Sequence, residues 1–150
     1  MPAASRTGLP HTWRPMGSRM VGIVLVVCLY GMCVFTWFAF DAQTRARFTV
    51  FEKGTMAFFG ILVLVLVHAL IRSRIEARSD RLVVVNGYKR REFAWEQVVA
   101  ARMPPGAPWV TLDLADGTAV PAMGIQSSDG GRARTALREL RALVADPPQG

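Results

Sequence analysis

The sequence predicts an α+β membrane protein, in which a two-helix transmembrane hairpin precedes a bent antiparallel β-barrel or sandwich closed by a C-terminal amphipathic helix. Three observations support this prediction. Residues 20–40 and 54–71 form two apolar runs without a charged side chain. After residue 71 apolar and polar residues alternate, which is typical of half-buried strands. Near the C-terminus the apolar residues instead recur with the helical period of 3.6.

Both apolar runs are long enough to cross a bilayer. A helix rises about 1.5 Å per residue and the hydrocarbon core is about 30 Å thick, so the first run spans it and the second lies near the lower limit. The first run is also longer than the apolar region of a signal peptide, which favours a retained helix. We therefore expect a disordered basic arm at residues 1–19, followed by two membrane helices at 20–40 and 54–71 with an extracytoplasmic loop at 41–53 between them. A folded domain is expected at 72–145 and a tail at 146–150.

The basic residues predict how this hairpin is oriented. Three lie in residues 1–19 and seven in residues 72–91, whereas the connecting loop at 41–53 holds three. Basic residues near the ends of membrane helices favour the cytoplasmic side. The prediction is a multi-pass protein of the cell (cytoplasmic or inner) membrane with its N- and C-termini in the cytoplasm.

The remaining 72–145 segment is predicted to contain about six short strands and one helix. Asn86-Gly87 and Asp116-Gly117 mark tight hairpin turns, because these residues tolerate positive φ. Ser128 or Asp129 is expected to cap the final helix, since a side-chain oxygen there can accept a hydrogen bond from an unpaired amide. The two cysteines, Cys28 and Cys33, fall within the first apolar run and are expected to be buried apolar residues.

This order of elements resembles pleckstrin-homology (PH)-like domains. More specifically it is similar to the bacterial, typically actinobacterial, membrane-anchored PH family named after low-molecular-weight protein antigen 6. The similarity rests on two spans followed by the segment RLVVVNGYKRREFAWEQVVAARMPPGAPWVTLDLADGTAVPAM and an Arg/Ala/Leu helix. The resemblance implies the PH-like fold and a binding or scaffolding role, and it brings no catalytic residues with it. PH-like folds host several functions, so the fold alone does not choose among them.

Basic residues beside the second apolar run are the first candidate site. Alternation along a strand sends Arg90 to the opposite face from Lys89 and Arg91, which disfavours a single cradle for an inositol phosphate. Looser contact with anionic lipid headgroups would gain about 1 kcal/mol per basic residue near the surface. The competing interpretation is that the charges only set topology and solubility. The candidate lipid-facing residues are Arg72, Arg74, Arg78, Lys89, Arg90 and Arg91.

Two further candidates are uncharged or neutral. Pro104, Pro105 and Trp109 form a stiff apolar loop that suits docking of a protein partner, although a stiff strand connector is the favoured interpretation. His68 is the intramembrane polar residue, which makes it a functional hypothesis, but no acidic residue accompanies it in either run and a structural role is favoured. Trp13 is expected at the membrane interface, where indole rings prefer to lie.

The function predicted from these features is a membrane-tethered PH-like binding or assembly module, which mediates protein–protein interaction at the cytoplasmic membrane face. Self-association is included in that prediction. The alternatives are a sensor of anionic lipid surfaces through the basic flank, or a small accessory subunit of a transporter or envelope-synthesis complex. The bilayer is the expected partner in every case. No enzymatic activity, cofactor, metal or nucleic-acid partner is expected, because the sequence shows no motif typical of catalysis, phosphate binding, metal ligation or nucleic-acid binding.

Overall fold

The computed structural model describes residues 8–148. Within that range the chain forms four α-helices and seven strands. The helices are α1 (Gly17–Ala39), α2 (Ala42–Arg47), α3 (Val50–Arg72) and α4 (Gly131–Ala145). The strands are β1 (His11–Trp13), β2 (Arg74–Ala77), β3 (Arg81–Asn86), β4 (Lys89–Ala94), β5 (Val98–Arg102), β6 (Trp109–Leu114) and β7 (Ala119–Gln126).

Helices α1 and α3 pack side by side and, with α2 between them, form the helical hairpin. Each is long and apolar enough to cross a membrane, and the protein buries none of either apolar window. The Tyr30 hydroxyl donates a hydrogen bond of 2.5 Å to the Gly60 carbonyl oxygen and ties the two helices together. At the connection, the Asp41 side chain caps α2, and Thr49 with Glu52 forms a capping box at the start of α3.

The strands form two antiparallel sheets, one of order β1-β2-β3-β4 and the other of order β5-β6-β7. The second sheet packs on the first through β7, which contacts β2 and β3, and α4 packs on β5 and β7. Gly124 permits this approach, because a Cβ there would lie 2.5 Å from the Ile75 backbone nitrogen. Among the described residues no strand ladder joins the sheets, so they form a sandwich, and closure into a barrel stays a prediction.

Strand β1 corrects the prediction of a disordered arm over residues 1–19. It pairs antiparallel with β2, with Thr12 opposite Glu76. Trp13 is only 7% exposed within the domain core, and its Nε1 donates a 2.9 Å hydrogen bond to Glu139 Oε2. The predicted position of Trp13 at the membrane interface is therefore wrong. The strand was not predicted because three residues are too few to show an alternating pattern, and because β2, with which it pairs, follows only after the whole hairpin. Residues 1–7 of the predicted arm lie outside the described residues.

The pairing of β1 with β2 makes the helical hairpin an insertion between two neighbouring strands. The chain leaves the first sheet after β1, runs through α1, α2 and α3, and re-enters the same sheet at β2. The N-terminal end of α1 and the C-terminal end of α3 are consequently both attached to the folded domain.

Two smaller predictions also needed correction. Asp129 does not cap the final helix, which begins after Gly130 without a side-chain cap. Its carboxylate instead accepts hydrogen bonds from the backbone amides of Met16 and Gly17, at 3.0 and 2.6 Å, and so caps the start of α1. The predicted run of short strands is also interrupted after β4 by a 3₁₀ turn at Trp95–Gln97, where the chain passes from the first sheet to the second.

Candidate functional site: a groove at the end of α3

An open groove of about 600 Å³ lies where the last turns of α3 meet the two sheets. We call it the junction groove. Helix α3 and β7 provide mostly apolar side chains, while β4 provides two basic ones. Its lining residues are Leu66, Ala69, Leu70, Ser73, Asn86, Gly87, Lys89, Arg91, Val120, Pro121 and Met123.

The turn between β3 and β4 is fastened to the end of α3 and forms one side of the groove. The buried Ser73 hydroxyl accepts a 3.0 Å hydrogen bond from the Gly87 amide and donates one of 3.3 Å to the Ala69 carbonyl oxygen. Gly87 has φ of 61°, and a Cβ there would lie 3.3 Å from the Cβ of Ala69. Glycine is therefore required both by the backbone angle and by the closeness of the helix.

Asn86 holds the opposite wall of the groove in place. Its Nδ2 donates a 2.5 Å hydrogen bond to the Pro121 carbonyl oxygen, and its Oδ1 accepts one of 2.9 Å from the Met123 amide. One side chain thus bridges β3 of the first sheet and β7 of the second. The groove is a product of the packing of three elements, and its shape does not depend on a free loop.

Lys89 and Arg91 are the two cations of the groove. They stand two residues apart on β4, so both side chains lie on the same face of that strand. Neither forms an ion pair within residues 8–148. An unpaired cation beside an apolar wall favours a ligand that joins an anionic head to an apolar body.

Arg74 and Arg78 are not available in the same way, because both bind one carboxylate. Arg74 Nε lies 2.5 Å from Glu76 Oε1, and Arg78 Nη2 lies 2.9 Å from Glu76 Oε2. These hydrogen bonds, from Arg74 first and Arg78 second, hold the pKa of the Glu76 carboxyl below its ordinary value of 4.5. Arg74, Arg78 and Glu76 lie on the first sheet and are not among the residues that line the groove.

Arg90 is likewise engaged, on the other face of β4. Its guanidinium contacts Glu92 Oε1 at 2.5 Å, while Arg81 contacts Glu92 Oε2 at 2.8 Å. The hydrogen bonds from Arg81 and then Arg90 lower the pKa of the Glu92 carboxyl. Of the six predicted lipid-facing residues, the structure therefore brings only Lys89 and Arg91 into the groove itself.

Arg72 and His68 meet at Tyr88, beside the groove. The Arg72 guanidinium carbon lies 5.5 Å from the centre of the Tyr88 ring, within the range of a cation–π contact. A 2.8 Å hydrogen bond joins His68 Nδ1 to the Tyr88 hydroxyl. The predicted intramembrane polar residue thus contacts the folded domain, and the last turns of α3 are held against the β3–β4 turn.

The predicted docking loop lies at a different place, between β5 and β6. Pro104 and Pro105 are exposed, and Trp109 is half-buried at the start of β6. The Ala107 amide donates a 3.0 Å hydrogen bond to the Pro104 carbonyl oxygen, and Gly106 has φ of 85°. These features form a tight turn with a fixed backbone.

Several site residues were not predicted from the sequence. Ser73, Tyr88 and Asn86 act through contacts with partners distant in sequence, and no periodic pattern marks them. The Asn86-Gly87 turn was the usable signal, since it indicated that the strands on either side of it pair. Nothing in the sequence indicated that β7 would supply Pro121 and Met123.

Comparison with known proteins gives a family for the folded domain. Residues 72–143 match the family model described as a bacterial PH domain, which confirms the predicted resemblance. An uncharacterised protein of Mycobacterium bovis and two of Mycobacterium tuberculosis strains are each 35% identical to this chain over 99 residues. The alignment covers 64% of this chain and 64% of the length of each relative. No solved structure matches.

Proposed function

Because residues 72–143 match the family model described as a bacterial PH domain, we propose that this chain is a membrane-tethered binding module with a non-enzymatic role. In this proposal the helical hairpin crosses the cell membrane twice, with both domain-linked ends on the cytoplasmic side. The junction groove binds the headgroup region of an anionic phospholipid from the surrounding leaflet. The protein acts as a sensor or organiser of anionic lipid at that surface.

The insertion of the hairpin between β1 and β2 supports the membrane part of the proposal. An antiparallel hairpin attached to one domain at both ends must have those ends on the same side of a bilayer. Arg14, Arg19 and Arg72 flank the domain side, whereas the α2 connection carries Arg45, Arg47 and Lys53 together with Asp41 and Glu52. Over the wider flanks, residues 1–19 and 72–91 at the domain end hold ten basic residues against three in residues 41–53, and such an excess near helix ends favours the cytoplasmic side.

The position of Lys89 and Arg91 is the observation that carries the lipid-binding part. They lie at the end of a predicted membrane helix, in a groove that also contains Leu66 and Leu70 of that helix. The phosphate of a bound phospholipid would be close to both cations, while the acyl chains of the same lipid followed the apolar surface of α3. Each basic residue near an anionic surface contributes about 1 kcal/mol.

Replacing both groove cations, in the Lys89→Ala/Arg91→Ala variant, is expected to abolish the preference for anionic lipid. At about 1 kcal/mol each, the loss is roughly five-fold per cation. The measurement is native mass spectrometry of the full chain, extracted from vesicles of phosphatidylglycerol and phosphatidylcholine, with retained lipids counted. Soluble glycerol phosphate, added in a separate experiment, tests whether the headgroup alone suffices.

The matched control is Arg78→Ala/Arg90→Ala, which also removes two positive charges, but at positions outside the groove. Glu76 keeps Arg74 and Glu92 keeps Arg81 in this variant, so neither carboxylate is left without an ion pair. The control should retain anionic lipid like the unmodified protein. An equal loss in both variants would show that only overall charge matters and would refute the groove as the site.

Protein–protein scaffolding, which the sequence predicted first, stays a prediction, as does the accessory-subunit alternative. No contact among residues 8–148 favours a protein partner over lipid at the groove. Self-association through the helices is equally open to test in the same vesicles.

A further inference from the structure

The outer face of the β5-β6-β7 sheet includes Pro121, an exposed residue of β7 that also lines the junction groove at the end of α3. Val110 and Leu112 are fully buried in the core, so Thr111 between them lies on the opposite face, and the half-buried Trp109 precedes them across a register irregularity at the start of β6. Thr111 pairs with Pro121 of β7. Pro121 in turn lines the junction groove opposite Leu66 and Leu70 of α3.

A second set of contacts places one end of this sheet beside the start of α1. The Ser127 amide donates a 3.0 Å hydrogen bond to the Pro108 carbonyl oxygen, at the end of the 103–108 segment, which we call the proline loop. Two residues later, the Asp129 carboxylate binds the amides of Met16 and Gly17. The proline loop therefore lies at the end of the sheet that contacts α1. That contact is at Met16 and Gly17, a few residues before the apolar run of α1 begins.

The chemistry of this surface suits the interfacial zone of a bilayer. Residues 103–109 contain no charge, and three prolines, a methionine and a tryptophan dominate them. The nearest charges on the same face, Arg102 and Asp113, form an ion pair with each other. Tryptophan is enriched where apolar surface meets headgroups. The fixed turn at Pro104–Ala107 also means that contact orders little additional backbone.

We propose that the proline loop and Trp109 are a third membrane contact, in which they touch the headgroup region of the bilayer that the hairpin spans. With the ends of α1 and α3, this contact fixes the tilt of the domain and keeps the junction groove open to lipid. The inference rests on the proposed function, because it requires the hairpin to be in the membrane. It assigns the loop to lipid and not to the protein partner that the sequence suggested.

The test uses the full chain with Cys28 and Cys33 replaced by alanine and a single cysteine carrying an environment-sensitive fluorophore. Pro105→Cys labels the tip of the proline loop. Ala115→Cys is the matched control, since it is exposed at the opposite end of the β5-β6-β7 sheet. In vesicles, lipids with a quencher at the headgroup or upper acyl chain should quench the label at 105 several-fold more than the label at 115.

A third label separates this inference from the proposed function. Val24→Cys places the fluorophore about two turns into α1, within its apolar run, where strong quenching from the upper acyl chain reports insertion of the hairpin. Quenching at 24 with equal, weak quenching at 105 and 115 overturns the loop contact alone. Weak quenching at 24 overturns membrane insertion itself, and the loop contact with it. The label at 105 could instead become shielded from water as the protein-to-lipid ratio rises, without quenching by the lipids. That result would assign the loop to self-association and also refute the proposal.

Discussion

Replacing Trp13 with alanine is expected to destabilise the folded domain by about 3–5 kcal/mol, the usual cost of truncating a buried tryptophan. The side chain is 7% exposed and packs in the shared core of the two sheets. The variant also leaves Glu139 without the indole donor that it binds at 2.9 Å. A domain of this size has a total stability of about 5–15 kcal/mol, so the loss is a large part of it.

The effect of Trp13→Ala is measured by urea unfolding of the full chain in mild detergent, with proteolysis at the arginines of the domain as readout. Thr12→Ala is the control, because Thr12 is exposed on the same strand. That variant should unfold like the unmodified protein. Identical midpoints for the two variants would mean that the segment before α1 is not part of the domain.

Substituting Gly124 by alanine is the second change with a large expected effect. The added Cβ would lie 2.5 Å from the Ile75 nitrogen and 2.6 Å from the Arg74 carbonyl carbon. Both atoms belong to the backbone of β2, which cannot move aside as a flexible side chain could. The sheets must separate locally, and overpacking of this kind costs about 1–3 kcal/mol or more. The same unfolding measurement should show the loss.

Gly131→Ala provides the comparison for Gly124→Ala. Gly131 is the first residue of α4, and a Cβ there would meet no atom within 4 Å. Alanine in a helix is favoured over glycine by about 0.5–1 kcal/mol, so this variant should be as stable as the unmodified protein or slightly more stable. If Gly124→Ala were equally stable, β7 could not pack against β2 with Gly124 this close to the backbone of Ile75.

The part of the fold that could be predicted is the part encoded by local pattern. The lengths of the apolar runs indicated α1 and α3, and the alternation after residue 71, with the Asn86-Gly87 and Asp116-Gly117 turns, indicated the antiparallel strands. The C-terminal helix was indicated by its apolar face. The resemblance of residues 72–143 to bacterial PH domains was recognisable because these elements follow one another in a characteristic order.

The part that could not be predicted depends on partners distant in sequence. Strand β1 is stabilised by β2 across the whole hairpin, and its own three residues showed no recognisable period. Asp129 had the right residue type for a helix cap, but the helix that it caps is α1, more than a hundred residues earlier in the chain. Charge alone could not separate Lys89 and Arg91 from the neighbouring arginines, because only packing reveals which of them have carboxylate partners.

The pairing of β1 with β2 across the hairpin is tested most directly by a disulfide between positions 12 and 76. Thr12→Cys and Glu76→Cys are introduced together, with Cys28 and Cys33 replaced by alanine, since the two positions face each other in the antiparallel register. Mild oxidation of the protein in vesicles should give a linked peptide pair by mass spectrometry. No such link should form when Thr12→Cys is combined with Ala115→Cys. Failure of the 12–76 pair to link, in a protein that otherwise folds, would contradict an insertion of the hairpin into the first sheet.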